Sequence, residues 1–385
     1  MYYRKLGKIP KKRHTMFKKE DGSLFREQVM GTKGFSGTQS ILYHHHLPTE
    51  VVKSEVVKKY LPEYEIEDEK ALRHRHFLTS EVKRTGNGLD AREYILGNDD
   101  LLIGTAQVTE NMGSYYRNGD GDEMLYIHYG KGKIETMFGT LSYRPGDYVT
   151  IPIGTIYRMM PEEETKMLFV ESFSQITTPR RYRNEYGQLL EHSPFCERDL
   201  RGPETLETHS AKGEYEVLTK SRGYIHSHIL NHHPLDVVGW DGYLYPWVFN
   251  IEDFEPITGR VHQPPPVHQT FEGHNFVVCS FVPRLYDYHP ESIPAPYYHS
   301  NVNSDELLYY VEGNFMSRKG IKQESITLHP SGIPHGPHPG TTEASIGKKE
   351  TLELAVMIDT FRPLKIVKST TGYEDDHYMY TWIEK

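Results

Sequence analysis

The sequence predicts a mainly β fold made of two jelly-roll-type barrels, with an N-terminal arm and few short helices. Three observations carry that expectation. From about residue 95 onward the apolar residues fall in short runs bounded by Gly, Pro and Asp. The runs are not interleaved with long helical patterns, which disfavours βαβ units. And the arrangement occurs twice, as a polar loop, a Glu, an apolar strand and a Gly.

Taken in order, residues 1 to 50 are polar and glycine-rich and read as an extended or looped arm. The triplet His44–His46 inside it cannot turn three rings to one side of a strand, because side chains alternate, so it is a weak metal candidate. Val51 to Tyr60 has a short amphipathic helical pattern stopped by Pro62. Strands are then expected at "MLYIHY", "KIETMF", "DYVTIP" and "MLFVES". Residues 176 to 220 read as a polar connection. Strands resume at "NFVVCSFVP", "ELLYYVEG", "ESITLHP" and "LELAVMID". The expected division is residues 1–230, an arm and a metal-free barrel with its core at about 95–175, then 231–385, a metal-binding barrel.

The chain has 385 residues, a net charge of -9, 37% hydrophobic and 25% charged residues. That is a soluble globular composition, and the negative charge disfavours nucleic acid or an anionic membrane as partner. No run approaches the 18 or more apolar residues of a membrane span, and no apolar segment follows the basic start, so neither a span nor a signal peptide is expected. The two cysteines, Cys196 and Cys279, form no zinc spacing and no disulfide framework, which fits a reducing cytoplasm. The 28 Tyr suit β cores and polar pockets, and the 22 His point to metal or acid–base chemistry.

The internal repeat locates that chemistry. Glu306 is followed by six residues and Gly313, and Glu123 by six residues and Gly130. Downstream stand Pro330-x-Gly332-x-x-His335 in one half and Pro152-x-Gly154-x-x-Tyr157 in the other. These segments resemble the two motifs of the cupin barrel, which makes the chain look like a bicupin. In the second half His299, Asn301, Glu306 and His335 keep metal-ligand types. In the first, Tyr116, Asn118 and Tyr157 stand where His is expected, so that barrel reads as structural. Two imidazoles and one carboxylate are the donor set of non-haem Fe(II) oxygenases, and they leave open coordination positions. With one carboxylate the site carries +1, which suits an anionic substrate oxygen. Asn301 is a weaker ligand type and reads as a hydrogen-bonding support. Asp305 competes with Glu306, whose spacing to Gly313 matches the repeat. His329 could line the pocket, His338 is as well placed on a surface loop, and His268, His274 and His289 read as structural or surface residues.

Longer stretches go beyond the cupin motifs. "KRHTMF", "GTKGFSGTQSILYH", "VVGWDGYLYPWVFNIEDFEP", "GRVHQPPPVHQTF", "PAPYYHSNVNSDE", "HPSGIPHGPH" and "YEDDHYMYTW" occur in one order. Together they resemble the homogentisate 1,2-dioxygenase family over most of the chain. The resemblance implies an Fe(II) enzyme of the extradiol type, opening homogentisate to maleylacetoacetate in tyrosine and phenylalanine catabolism. It implies iron on His299, Glu306 and His335, an acid–base role for His262, and substrate contacts from His329 and from a pocket tyrosine. It also implies a small aromatic dihydroxy acid and O2 as partners, and a homo-oligomer with trimeric contacts. Two positions depart from the family. The loop from His299 to Glu306 is one residue longer, and Phe315 stands where the pocket Tyr is expected. Phe cannot donate to a substrate carboxylate, which keeps gentisate or a related hydroquinone as an alternative. A non-oxygenase bicupin holding Zn or Mn, an isomerase or a binding protein, is the alternative from another class.

Overall fold

The strand Asp122–Tyr129 alternates inward Glu123, Leu125 and Ile127 with outward Met124 and Tyr126, and the first barrel is built around it. The computed structural model describes residues 2–65, 71–313, 315 and 320–383. One sheet of this barrel runs Leu200–Arg201, Trp247–Asn250, Asp147–Ile151, Asp122–Tyr129, Thr165–Ser172, Leu101–Val108, Arg92–Gly97 and Lys365–Ile366. The facing sheet runs Gly139–Tyr143, Gly132–Thr136, Tyr157–Pro161, Tyr115–Asn118, Lys212–Ser221, Tyr224–His232 and Val51–Lys59. Leu125, Val149 and Phe169 of the first sheet pack on Ile134, Leu141 and Met159 of the second.

The second barrel repeats the frame with fewer strands. Its sheet runs Gln269–Gly273, Phe276–Phe281, Leu354–Thr360, Asp305–Glu312, Ile326–His329 and Arg75–Phe77. The chain is thus a bicupin of the expected mainly β class. The registers of the two barrels coincide. Glu123 lies opposite Ile151 and Glu171, and Glu306 opposite His329 and Asp359. Tyr116 pairs with Tyr157, and His299 with His335. Gly130 and Gly313 close the equivalent strands at φ +88° and +104°. A Cβ at either would sit 2.3 Å from the Glu164 carbonyl oxygen or 2.7 Å from that of Leu352, so only glycine fits.

The barrels meet through tyrosines on their outer faces. Tyr148 stands edge-on to Phe271 at 5.4 Å and shares a hydrogen bond with Ser280. Tyr309 bonds His128. Their rings fill an apolar seam while their hydroxyls find partners.

Three expectations are corrected. Val51–Lys59 is an exposed edge strand paired with Tyr224–His232, not a helix. Its four valines satisfy a helical spacing but are β-branched, and a neighbouring strand decides the matter. Residues 176–220 are not only connection, since Leu200–Arg201 and the onset of Lys212–Ser221 are strands. The arm is also structured: Arg4–Gly7, Gln39–His44 and Arg26–Gly31 form a sheet with Val237–Gly242. The expected boundary at 230 falls within interleaved chain. Trp247–Asn250 pairs with Asp147–Ile151 of the first barrel, while Arg75–Phe77 edges the second.

Candidate metal centre

His299, Glu306 and His335 come together as the repeat predicts, with one ligand atom from each within 4.8 Å of the others. Glu306 opens the strand Asp305–Glu312, and the backbone bridge between His299 and His335 brings the two imidazoles to a ring separation of 4.2 Å. Asp305 is engaged elsewhere. Its two oxygens accept from the Ser331 and Leu364 backbone N–H groups at 2.8 and 2.7 Å, and so tie loops to the barrel mouth. Asp122 does the same in the first barrel, through Ile153 and Ile176.

The donor set fits a metal ion. His335 is 4% exposed, and neither ring nitrogen has a hydrogen-bond partner, although Nε2 lies 3.3 Å from Glu306 Oε1. A buried imidazole with both nitrogens unengaged is costly unless one of them binds an ion. Burial would raise the Glu306 pKa, but the imidazoles of His299, His329 and His335 gathered around it outweigh that and hold the carboxyl well below its ordinary range.

His329 was expected to line the pocket and hold substrate. It is instead fully buried behind Glu306, with Nδ1 2.7 Å from Oε1 and Nε2 3.0 Å from the Tyr378 hydroxyl. His338, expected as readily on a surface loop, is fully buried against Trp382 at 4.5 Å and bonds Thr381. The closing segment Tyr378–Trp382 thus lies under the triad. His74, from the N-terminal half, stands 5.9 Å from the His335 ring.

His299 and Glu306 of the triad line a cavity of about 260 Å³. Asn301 and Phe315 line it, and Phe315 is buried edge-on against Tyr310 at 4.6 Å. His262 lines its mouth with a side chain 57% exposed, and Nδ1 is 3.1 Å from Asp287. His268, expected as a structural or surface residue, is buried and lines the cavity. Burial, with the charge of Arg284, lowers its pKa to about 3, which keeps it neutral. The residue that sequence reasoning missed is Asp359. It faces the cavity from the strand beside Glu306, and burial and the Glu306 charge push its pKa up to about 8. When Asp359 is ionised, the expected +1 of the site becomes zero. Its equivalent, Glu171, was the available signal, since "FVES" and "MIDT" end matching strands.

In the first barrel the same place is filled from within. Arg92 Nη1 lies 2.5 Å from Glu123 and 2.7 Å from Glu171, and Nη2 donates to the Tyr157 hydroxyl at 3.0 Å. Tyr157 donates to Glu123 at 2.6 Å, and Lys220 pairs with Glu171. Two cations and two carboxylates balance. The His44–His46 cluster is structural: His44 is buried between Asp236 and Gln28. Among the described residues no helix is long and apolar enough to cross a membrane.

Residues 76–251 match the family model described as homogentisate 1,2-dioxygenase N-terminal. A Saccharolobus solfataricus protein named "Putative dioxygenase" is 41% identical over 99% of both chains. Homogentisate 1,2-dioxygenases of Nitrobacter hamburgensis and Mus musculus are 27% and 24% identical over 70% and 69% of this chain. The matched segments span 62% and 63% of those two enzymes' own lengths. Among solved structures, a cupin 2 conserved barrel domain protein from Leptotrichia buccalis matches 82% of this chain and 99% of its own, at 11% identity and a TM-score of 0.33. The full-length match and the family model carry the assignment: the chain belongs to the homogentisate 1,2-dioxygenase family of ring-cleaving dioxygenases.

Proposed function

We propose that the protein is a non-haem Fe(II)-dependent dioxygenase of the extradiol type that opens the ring of a hydroquinone-class substrate. Homogentisate, opened to maleylacetoacetate in tyrosine and phenylalanine catabolism, is the substrate the family supplies. The observation that supports this reading best is the donor set His299, Glu306 and His335 beside a cavity that His299 and Glu306 line. Bound there, Fe(II) would acidify a substrate hydroxyl and pass electron density to O2.

The chain's own residues do the rest. His329 and Tyr378 fix the Glu306 carboxylate from behind. Leu308, Tyr310, Phe315 and Met357 keep water away from the reacting ring. His262, oriented by Asp287 at the mouth, would take and return the proton of a substrate hydroxyl. A second reading is ring opening of gentisate or a related hydroquinone; Phe315, which offers a carboxylate no hydrogen bond, favours those hydroquinones that lack one. The protein is further expected to work as a cytoplasmic homo-oligomer.

The test is oxygen uptake by anaerobically reconstituted Fe(II) protein given homogentisate, gentisate or unsubstituted hydroquinone, with near-UV absorbance following the ring-opened product. Uptake and a new chromophore are expected with at least one. Silence with all three removes the reading.

A further inference from the structure

Stiff chain holds the ring of His268 on the cavity wall. Three prolines, Pro264 to Pro266, restrict the backbone that leads to it, and the turn Pro265–His268 ends on it. The Tyr182 hydroxyl donates to the Pro266 carbonyl at 3.1 Å, and Thr270 Oγ1 donates to the His268 carbonyl at 3.2 Å. The imidazole lies tilted on the Phe281 ring at 4.6 Å. Phe281 packs in turn with Leu308, Tyr310, Phe315 and Ala355, and all of these line the cavity together with His268.

The hydrogen-bonding state of this ring is defined. One ring nitrogen bonds the Ser280 backbone, and since a carbonyl only accepts, that nitrogen carries the N–H. The ring is buried and neutral, so its other nitrogen is an acceptor. That nitrogen, Nδ1, has no hydrogen-bond partner. Arg284 does not supply one, because its guanidinium is turned to Glu353 and to the Val282 carbonyl, each at 3.0 Å. A buried acceptor without a donor is destabilising, and a ligand that brings the donor relieves it.

We propose that His268 is a substrate-contact residue, whose Nδ1 accepts a hydrogen bond from the ring hydroxyl that is not bound at the metal. That the ligand is a dihydroxyarene rests on the ring-opening reading; the free acceptor on the cavity wall does not. The two histidines of the cavity then differ in task. His262 at the mouth exchanges a proton, whereas His268 holds the second hydroxyl and so selects for a ring that carries two.

Calorimetry on Zn(II)-loaded protein, which does not turn over, tests this. The ligands are homogentisate, 2-hydroxyphenylacetate and 3-hydroxyphenylacetate, the last two each lacking one of its hydroxyls. The analogue without the hydroxyl away from the metal should bind wild type about tenfold more weakly than homogentisate. His268→Phe should weaken homogentisate about tenfold, to the level of that analogue, while leaving the analogue's own affinity and the zinc content unchanged. His268→Asn, which keeps an acceptor near the place of Nδ1, should retain most of the preference for homogentisate. Equal weakening of all three ligands by His268→Phe would show a packing role and overturn the proposal. An unchanged preference for homogentisate in that variant overturns it too, and if the Fe(II) protein still consumes O2 with a diol, the ring-opening reading stands without it. If His268→Phe erases the preference but the Fe(II) protein consumes no O2 with any diol, the ring-opening reading falls and the contact stands. Binding of none of the three to wild type removes both.

Discussion

Where Glu306 of the second barrel meets three histidines, Glu123 of the first meets Arg92, Tyr157 and Tyr116. Around these two carboxylates the backbone is the same: an Asp before each that ties down loops, and a left-handed Gly that ends each strand. The interiors differ in a few side chains. Phe169, Met167, Val149 and Ile151 fill the first barrel, and the matched positions in the second are Met357, Ala355, Thr327 and His329. Smaller or polar residues at those four positions accompany the change from a packed core to a cavity. A guanidinium with a lysine does in one barrel what a metal ion is needed for in the other, namely to neutralise two carboxylates on neighbouring strands.

The largest expected effect separates the two carboxylates. Glu306→Ala should lower bound iron to near zero, measured by elemental analysis, and cut oxygen uptake at least about 100-fold. Glu123→Ala should leave the iron content of the folded protein unchanged. Iron lost equally from both would break the comparison.

Removing the substitute cation comes next. Arg92→Met leaves Glu123 and Glu171 buried with Lys220 alone, and it should cost about 3–5 kcal/mol of stability in denaturant unfolding. Iron content and turnover per folded molecule should hold.

The smallest effect sharpens the steric half. Ala355→Met puts the first barrel's residue into the second and narrows the cavity, so diol affinity should drop about tenfold by calorimetry while iron binding persists.

The frame and the triad were legible in the sequence because both rest on spacing. The six residues between Glu306 and Gly313 are one strand crossing, and they leave the same trace in both halves. The partners of the carboxylates were not legible, because they arrive from distant strands. Arg92 is 31 residues from Glu123, and Asp359 is 53 from Glu306. His329 looked like a pocket residue because it sits near His335 in the chain; it does share Glu306's face as its cross-strand partner, but its ring is taken up between Glu306 and Tyr378 instead of lining the cavity. The Tyr224–His232 hairpin arm was missed because its alternation is carried by His, Ser and Asn rather than by apolar residues.

The interleaving of the two halves has a consequence for how the protein is made. Arg75–Phe77 borders the sheet of the second barrel, Lys365–Ile366 completes the sheet of the first, and Tyr378–Trp382 braces His329. A growing chain therefore holds neither barrel complete until residues 365–382 have been added. The metal half-site would acquire its brace only after the other strands of both barrels have been made, so iron is expected to join a chain whose barrels are already formed.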